Sequence, residues 1–187
     1  MAVNLSSKAP AKKKKRNIRV DERHALWQLL RRTALAIGKA REKELEELGI
    51  SVEMSALLMT IVTIAALRTR AIPAAIAKTL LLEPNTVSQQ LSKMEKMGLV
   101  HKTKNLERKN LVRVELTEAG RELLHKSIER RRSIRKIMSV LTEDERRQMW
   151  NSLAKLRDAA IKELGVRKPI LYPPSDISEL AELYPYD

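Results

Sequence analysis

A short polar segment near the middle of the chain carries side chains suited to hydrogen bonding with nucleic acid bases. From Pro84 to about Met97 apolar residues recur at helical spacing, and the residues between them are small and polar. Asparagine and glutamine can pair bidentately with adenine, and the free N–H groups of a helix N-terminus hold phosphate. The contacts predicted on this helix are Pro84, Asn85, Thr86, Ser88, Gln89, Ser92 and Lys93.

A basic hairpin is predicted directly after this helix. Two short strands, Leu99–Lys104 and Leu111–Leu116, flank a polar tip at Asn105–Asn110. Arg108 and Lys109 at the tip are placed to enter a minor groove or to clamp the DNA backbone. The full set of predicted DNA-contacting cations in the hairpin is Lys102, Lys104, Arg108, Lys109 and Arg113.

The polar helix has a plainer alternative, which is that its polar residues form the solvent face of an ordinary amphipathic helix. The order of the elements weakens this alternative. A helix from about Ile72 to Leu80, a short turn, the polar helix and the basic hairpin follow one another as in a winged helix-turn-helix. Thr117 ends the hairpin and is suited to cap the next helix.

The overall composition favours a helical protein with a polyanionic partner. The 187 residues carry a formal net charge of +14, concentrated at Lys12–Arg19, His101–Arg113 and Arg130–Lys136. Such a field attracts nucleic acid, although a solvated charged surface is the alternative. Apolar residues make up 43% of the chain and phenylalanine is absent, so the core must be aliphatic, which suits packed helices.

Several classes of function are excluded or disfavoured by the residues that are missing. The chain has no cysteine, which excludes disulfides, thiolate metal sites and cysteine redox sensing. His24, His101 and His125 show no metal-ligand spacing, so we expect neither metal nor cofactor. No paired carboxylate, nucleophile–base pair or glycine-rich phosphate loop is placed for catalysis, so we predict that the protein is not an enzyme.

The sequence also lacks the apolar segments that would place the protein in a membrane or direct it to secretion. No run of eighteen apolar residues is present, so we expect no membrane partner. The basic N-terminus leads into Asp21 and Glu22 rather than into the apolar stretch of a secretory signal. We therefore expect a cytoplasmic protein.

Long helical regions are predicted on both sides of the winged segment. The first, 20–48, is too long to serve only a compact DNA-binding domain, and the second, 118–164, comprises two helices joined at Leu141–Thr142. We assign both regions to dimerisation. Between them, 51–117 forms the winged domain, whose first helix, Ser51–Leu67, is apolar nearly all round and should lie at its centre.

The two ends of the chain differ from the body in composition. Residues 1–19 form a lysine-rich arm without acids, which we expect to be flexible and which either binds phosphate or only aids solubility. The tail 165–187 ends in a short acidic helix, Asp176–Tyr184, whose apolar residues favour docking on the body.

The chain resembles the MarR (multiple antibiotic resistance regulator) family of winged helix-turn-helix transcriptional regulators. The resemblance covers about 20–164 and includes the wing spacing from Gly98 to Gly120. The matching residues are Thr86-Val87-Ser88, Leu91, Met94-Glu95, Gly98-Leu99-Val100 and Leu116-Thr117-Glu118-Ala119-Gly120. It implies a mainly α subunit of six helices with a small β-wing, a two-fold homodimer formed by the first and last two helices, and a palindromic DNA site.

Two positions depart from the family pattern. An Asp-x-Arg element usual in the wing falls on Arg108 and Asn110 here, or on Glu107 and Lys109 after a one-residue slip. We choose Arg108 as the wing contact on charge alone. At the start of the polar helix, where Ser or Thr is usual, the chain has Glu83, which is a poorer cap but still favourable to the helix dipole.

Many members of the family bind a small, often phenolic or anionic molecule between the dimer arms and the winged domain. By this resemblance, the residues placed at such a pocket are Trp27, Arg31, Met54 and Leu58, with Arg23 beside them. The alternative is that the apolar residues among them are plain core.

The function expected from the residues and the resemblance together is that of a dimeric, sequence-specific regulator binding double-stranded DNA. The resemblance favours repression at a palindromic promoter site, with a small molecule as effector. Two alternatives stay open, a nonspecific or architectural DNA-binding protein and a winged-helix protein-interaction module.

Overall fold

The computed structural model describes residues 21–67, 70–104 and 112–166. These residues belong to two compact units, the first ending at Leu35 and the second beginning at Ala36. The predicted basic arm 1–19, the hairpin tip and the acidic helix Asp176–Tyr184 lie outside the described residues.

Seven helices and two antiparallel strands are present in the described part of the chain. The helices are α1 (Glu22–Glu46), α2 (Val52–Ala66), α3 (Pro73–Leu80), α4 (Pro84–Lys96), α5 (Glu118–Glu129), α6 (Arg132–Met138) and α7 (Glu143–Glu163), and the strands are β1 (Val100–Lys104) and β2 (Val112–Leu116). With α5 and α6 counted as the predicted fifth helix, the six-helix fold with a small wing is confirmed. None of the described helices is long and apolar enough to cross a bilayer.

The first unit consists, in the described residues, of the N-terminal part of α1. It exposes large apolar side chains to solvent, with Leu26 60% and Trp27 53% exposed. The Trp27 ring lies 5.2 Å from the ring of His24 between centroids. This segment of α1 therefore has an apolar surface, and none of the described residues of the first unit covers it.

The core of the second unit is built around α2. Leu57, Leu58 and Ile64 are fully buried, and α2 packs against α3, α5 and β2. The hydroxyl of buried Thr63 donates to the carbonyl of Met59 at 3.0 Å, so the polar atom in this apolar setting is satisfied. The central position expected for this helix is confirmed.

Three helix starts are capped by side chains, and the cap at Thr117 is the one predicted above. The Ser51 hydroxyl accepts from the amide of Met54, and the Thr117 hydroxyl accepts from the amide of Gly120 at 3.0 Å. Thr142 and Glu145 form a reciprocal capping box, and hydrogen bonds from Thr142 lower the pKa of the Glu145 carboxyl. These caps fix the first turns of α2, α5 and α7.

The single helix expected over 118–140 is divided, and the physical reason lies in α1. The chain leaves helical geometry at Arg130 and Arg131, where ψ is 36° and 37°. Arg41 of α1 donates to the carbonyl of Ser127 and, at 2.7 Å, to that of Arg130. The last carbonyls of α5 are therefore bonded to a side chain instead of to the next helical turn.

The start of α6 is bonded to the same stretch of α1. The Glu44 carboxylate accepts from the amide of Ser133 at 2.6 Å and from Arg41 at 3.0 Å. Burial alone would raise the pKa of Glu44, but the Ser133 amide and then Arg41 outweigh it and lower that pKa. Arg41 and Glu44 together are called the α1 clasp below.

The lowered pKa makes the stability contribution of Glu44 dependent on pH. The carboxylate stabilises the fold above its ordinary pKa of 4.5, and this contribution is lost as the pH falls through the lowered folded value. Glu44→Gln should cost about 1 kcal/mol near neutral pH, because a neutral amide is the weaker acceptor. Urea unfolding at about pH 7 and about pH 3 should show a smaller pH effect in the variant than in the wild type. An equal pH effect in both proteins would contradict this role.

The turn from β2 into α5 requires glycine at position 120. A Cβ there would overlap the backbone carbonyl oxygen of Leu99, whereas a Cβ at Gly38 would meet nothing within 4 Å. Gly120→Ala should therefore lower the free energy of unfolding by about 1–3 kcal/mol. The matched control, Gly38→Ala in α1, should raise it by about 0.5–1 kcal/mol because alanine is the better helix former. Thermal unfolding of both variants measures the difference, and similar shifts in the two would contradict it.

Candidate nucleic-acid interface

The helix α4 is held by one face and free on the other. Val87, Leu91 and Met94 are fully buried, and α4 packs against α3 and β1. The polar residues of the predicted contact set are all exposed to solvent, namely Pro84, Asn85, Thr86, Ser88, Gln89, Ser92 and Lys93. The structure therefore leaves the polar face open to a partner.

The N-terminus of α4 is open to an anion. Glu83 occupies the N-cap position in an extended conformation but makes no side-chain cap bond, and Pro84 follows as the first helical residue. The amide groups of Asn85 and Thr86 therefore have no side-chain cap. Their N–H groups and the positive end of the helix dipole suit a phosphate oxygen.

The turn between α3 and α4 contains a strained residue. Leu81 adopts the left-handed conformation, with φ of 53°, which disfavours residues other than glycine. The next amide, of Leu82, donates to the carbonyl of Ala77 at 2.9 Å and closes the turn. This tight connection sets α4 against α3 in the helix-turn-helix arrangement.

The base of the wing is fixed to the body. β1 and β2 pair in antiparallel register, with Val100 opposite Leu116 and Lys102 opposite Val114. The amide of Val114 donates to the carbonyl of Ala71 at 2.8 Å. This bond joins β2 to the segment that leads into α3. The wing thus starts from a defined place beside α4. The Lys104 side chain and the tip residues Arg108 and Lys109 lie outside what the structure describes.

Two predicted contacts, Ser92 of α4 and Lys102 of β1, are brought together by the fold. The Lys102 ammonium donates to the Ser92 hydroxyl at 3.0 Å and lies 3.1 Å from a carboxylate oxygen of Glu95. Glu95 therefore offsets part of the charge of Lys102 and ties the wing to the helix. This role of Glu95 could not be predicted from the sequence, because the contact joins α4 to β1 and only the fold sets how these two elements lie against each other.

Arg113 is also paired. Its guanidinium lies 2.8 Å from one carboxylate oxygen of Glu115, and the His101 ring lies 3.0 Å from the other oxygen. His101 and Glu115 are direct cross-strand partners. Arg113 is exposed on the strand face, as predicted, but Glu115 holds it, which the sequence analysis did not foresee. The alternation of side chains along β2 places Arg113 and Glu115 on one face, and the hairpin register places His101 opposite Glu115. These two signals could have predicted the contacts of Glu115.

The residues predicted for a ligand pocket differ in their surroundings. Met54 and Leu58 are buried in the core of the second unit, which fits the alternative of plain core. Trp27 and Arg31 are exposed on the first unit. Within the described ranges, no group of three or more histidine or acidic side chains is placed to bind a metal ion.

A cavity of about 260 Å³ lies between α2, β2 and the start of α5. Its apolar lining comes from Ile61, Val62, Ala65, Ala71, Val114 and Leu116. Arg113, Glu115 and Arg121 add charge at the same cavity. Glu115 already pairs with Arg113, so the two arginines and one glutamate leave the cavity one positive charge in excess, which suits an aromatic molecule with a negative group. This cavity could not be predicted from the sequence, because the end of α2 meets the face of β2 only in the folded chain.

Comparison with known proteins identifies the fold. No protein-family model and no curated protein matches the chain. Among solved structures, the organohalide-sensing transcriptional regulator RdhR in its 2,4-dichlorophenol-bound form is 27% identical, with a TM-score of 0.74, over 94% of this chain and 100% of its own. MarR from E. coli in complex with operator DNA follows at 21% identity and a TM-score of 0.65, over 72% of this chain and 95% of its own.

A further neighbour is MepR from S. aureus in a DNA complex, 22% identical with a TM-score of 0.63, over 71% of this chain and 96% of its own. The chain has the winged-helix fold of the MarR regulators. The resemblance predicted from the sequence is confirmed by these neighbours. The likeness to RdhR spans 94% of this chain, compared with 72% for MarR and 71% for MepR.

The pairing of Lys102 with Glu95 leads to a prediction about DNA binding. Glu95→Gln removes one negative charge beside α4 and releases Lys102 for phosphate. Binding to any duplex should strengthen about fivefold at low salt, and the salt slope should steepen by about one. The matched control is Glu143→Gln, which releases Arg147 of α7 from an exposed pair of similar length. Fluorescence anisotropy across a salt series measures both variants, and an equal change in the two would contradict a location beside DNA.

Proposed function

We propose that the protein is a sequence-specific transcriptional regulator that binds double-stranded DNA as a dimer and represses from a palindromic promoter site. The observation that carries this proposal is the arrangement of α4, whose apolar face is fully buried while its polar face is open to solvent. Two structural neighbours support it, MarR in complex with operator DNA and MepR in complex with DNA.

In the proposed complex, α4 lies in the major groove with its N-terminal end toward the bases. Asn85 and Gln89 read base edges, because their amides suit adenine N6 and N7. Thr86, Ser88 and Lys93, with the uncapped amides of the first turn, hold the phosphate backbone. Arg108 at the wing tip enters the adjacent minor groove, or Lys109 does so in its place.

The proposed dimer uses apolar surfaces that the single chain leaves exposed. Met149, Leu153 and Leu156 form an exposed stripe at helical spacing along α7, and Leu26 and Trp27 are exposed on the first unit. Contiguous apolar surface of this kind marks an interaction site. Two-fold symmetry then places two half-sites about 10 bp apart, centre to centre, on one face of the duplex. The cytoplasm, where such DNA is reached, is the proposed compartment.

Selection of bound sites from a random duplex pool tests this proposal against the two alternatives. Enrichment of one palindrome at near-physiological salt supports a sequence-specific dimer. Strong binding without enrichment would instead favour a nonspecific or architectural protein. The net charge of +14 would then account for the binding. No binding of duplex or single strands would favour a protein-interaction module.

We also propose a small-molecule effector for this regulator, of aromatic and anionic character. The cavity between α2, β2 and α5 favours it, because an apolar lining and the side chains of Arg113 and Arg121 meet there. The neighbour RdhR holds 2,4-dichlorophenol. Trp27 and Arg31, which lie on the first unit, are not among the residues that line this cavity. Titration of the DNA complex with 2,4-dichlorophenol should release the duplex, and retention at saturating ligand would count against this chemistry.

The reading role of Gln89 predicts a loss of specificity when its amide is removed. Gln89→Ala should weaken binding to the selected palindrome by about 1–3 kcal/mol, with little change on random duplex. The matched control is Gln148→Ala, an exposed glutamine on α7, which should leave both affinities unchanged. Competition titrations at one salt concentration give the comparison, and an equal loss on both duplexes would show that Gln89 does not read bases.

A further inference from the structure

The α1 clasp joins three elements at the point where α5 gives way to α6. We infer that Arg41 and Glu44 are positioning residues that fix the direction in which α6 leaves α5 and thereby set the spacing between DNA half-sites. The second part of this inference rests on the proposed function. The first part concerns the chain alone.

The break between α5 and α6 has no local cause in the sequence. Residues 121–138 contain neither proline nor glycine, and their arginines, leucines and isoleucines are compatible with a continuous helix. Sharp helix breaks normally have an identifiable cause such as proline or an inserted group. Here the inserted groups are the side chains of Arg41 and Glu44, which come from α1.

The clasp replaces the hydrogen bonds that the break removes. The Arg41 guanidinium donates to the free carbonyls of Ser127 and Arg130. The Glu44 carboxylate accepts from the free amide of Ser133. Each side of the break thus has a charged partner, and the two partners are bonded to each other at 3.0 Å. Because Arg41 is only 8% exposed, the cost of leaving either member unpaired is high.

Glu47, one residue beyond the end of α1, continues this contact. It accepts from the Arg130 side chain at 2.6 Å, so the break is met at 41 and 44 by the end of α1 and at 47 by the turn that follows. The contact therefore runs from the last turns of α1 into the turn after it and is not an isolated pair.

The part of α1 that carries the clasp is anchored to the winged domain. Leu45, one turn after Arg41, is fully buried in the cluster that also contains Leu57 of α2 and Val87 and Leu91 of α4. The clasp therefore fixes α6 relative to the body that presents α4. If the dimer forms through α7, which follows α6, the separation of the two α4 helices depends on this direction.

A spin-label measurement on the full chain tests the first part. The chain has no cysteine, so cysteines placed at Glu122 and Ser139, both exposed, carry the only labels. Labelled chains diluted with excess unlabelled chain report the distance within one subunit. In a continuous helix, positions 17 residues apart would lie about 25 Å apart along the axis.

The test variant is the double substitution Arg41→Met with Glu44→Gln. The wild type should give one narrow distance below that of a continuous helix, and the double variant should give a broader and longer distribution. The control, Arg147→Met with Glu143→Gln, removes an exposed pair on α7 and should match the wild type. An unchanged distribution in the double variant overturns the inference. If the double variant does not fold, Glu44→Gln alone, which still offers an acceptor to Ser133, should show a smaller shift in the same direction.

Selection from a pool with two half-sites and spacers of varied length tests the second part. The wild type should prefer one spacing, and the double variant should accept several within about tenfold of one another. A purely structural role would lower the unfolding temperature but leave the preferred spacing unchanged, which would overturn the spacing claim.

The two kinds of failure are distinguishable. If the wild type binds no duplex, the proposed function fails, while the spin-label distances still decide the role of the clasp. If the wild type selects a palindrome and the variant retains both its distance and its spacing, the clasp inference fails alone.

Discussion

The burial of one side of α4 is the contact on which the proposed DNA-binding surface depends. Val87, Leu91 and Met94 lie in a core centred on α2, and each contributes about 1.5–3 kcal/mol relative to an exposed position. Because this side is fixed, the opposite side is presented outward without freedom to rotate. A polar side held in this way reaches a groove without a large loss of conformational freedom. Two further features fix the surroundings of α4. The tight turn at Leu81 precedes the helix, and the base of the wing beside it is hydrogen-bonded to Ala71.

The net charge of the chain and the ion pairs near α4 have different effects. The net charge attracts polyanions, and the ion pairs hold individual side chains in place. The net charge of +14 draws the protein toward any polyanion. Near α4, however, Glu95 holds Lys102 and Glu115 holds Arg113, so these cations are kept in defined places. Surface pairs of this kind add little stability. Their effect is to fix the base of the wing beside the helix, which leaves the open face of α4 for the proposed recognition of DNA.

Much of the fold follows from local signals in the sequence. Ser51, Thr117 and Thr142 predict the starts of three helices, and the apolar character of Ser51–Leu67 predicts the central helix, because capping and burial depend on neighbours within a few residues. The exposed side of α4 was predictable for the same reason. The break after α5 was not, since its cause is Arg41 and Glu44, more than eighty positions away. The roles of Glu95 and Glu115 and the cavity between α2 and β2 likewise depend on packing between distant elements.

The central claim is that the open side of α4 lies in the major groove, and the absence of cysteine allows a direct measurement. A single cysteine introduced as Gln89→Cys can attack a mixed disulfide tethered to a base in the major groove of the selected half-site, which forms a protein–DNA disulfide and releases the small thiol. Rapid cross-linking at one base position, and none from a cysteine placed as Gln148→Cys on α7, is the result that this account predicts. Cross-linking from both positions at similar rates, or from neither while the duplex is bound, would contradict it.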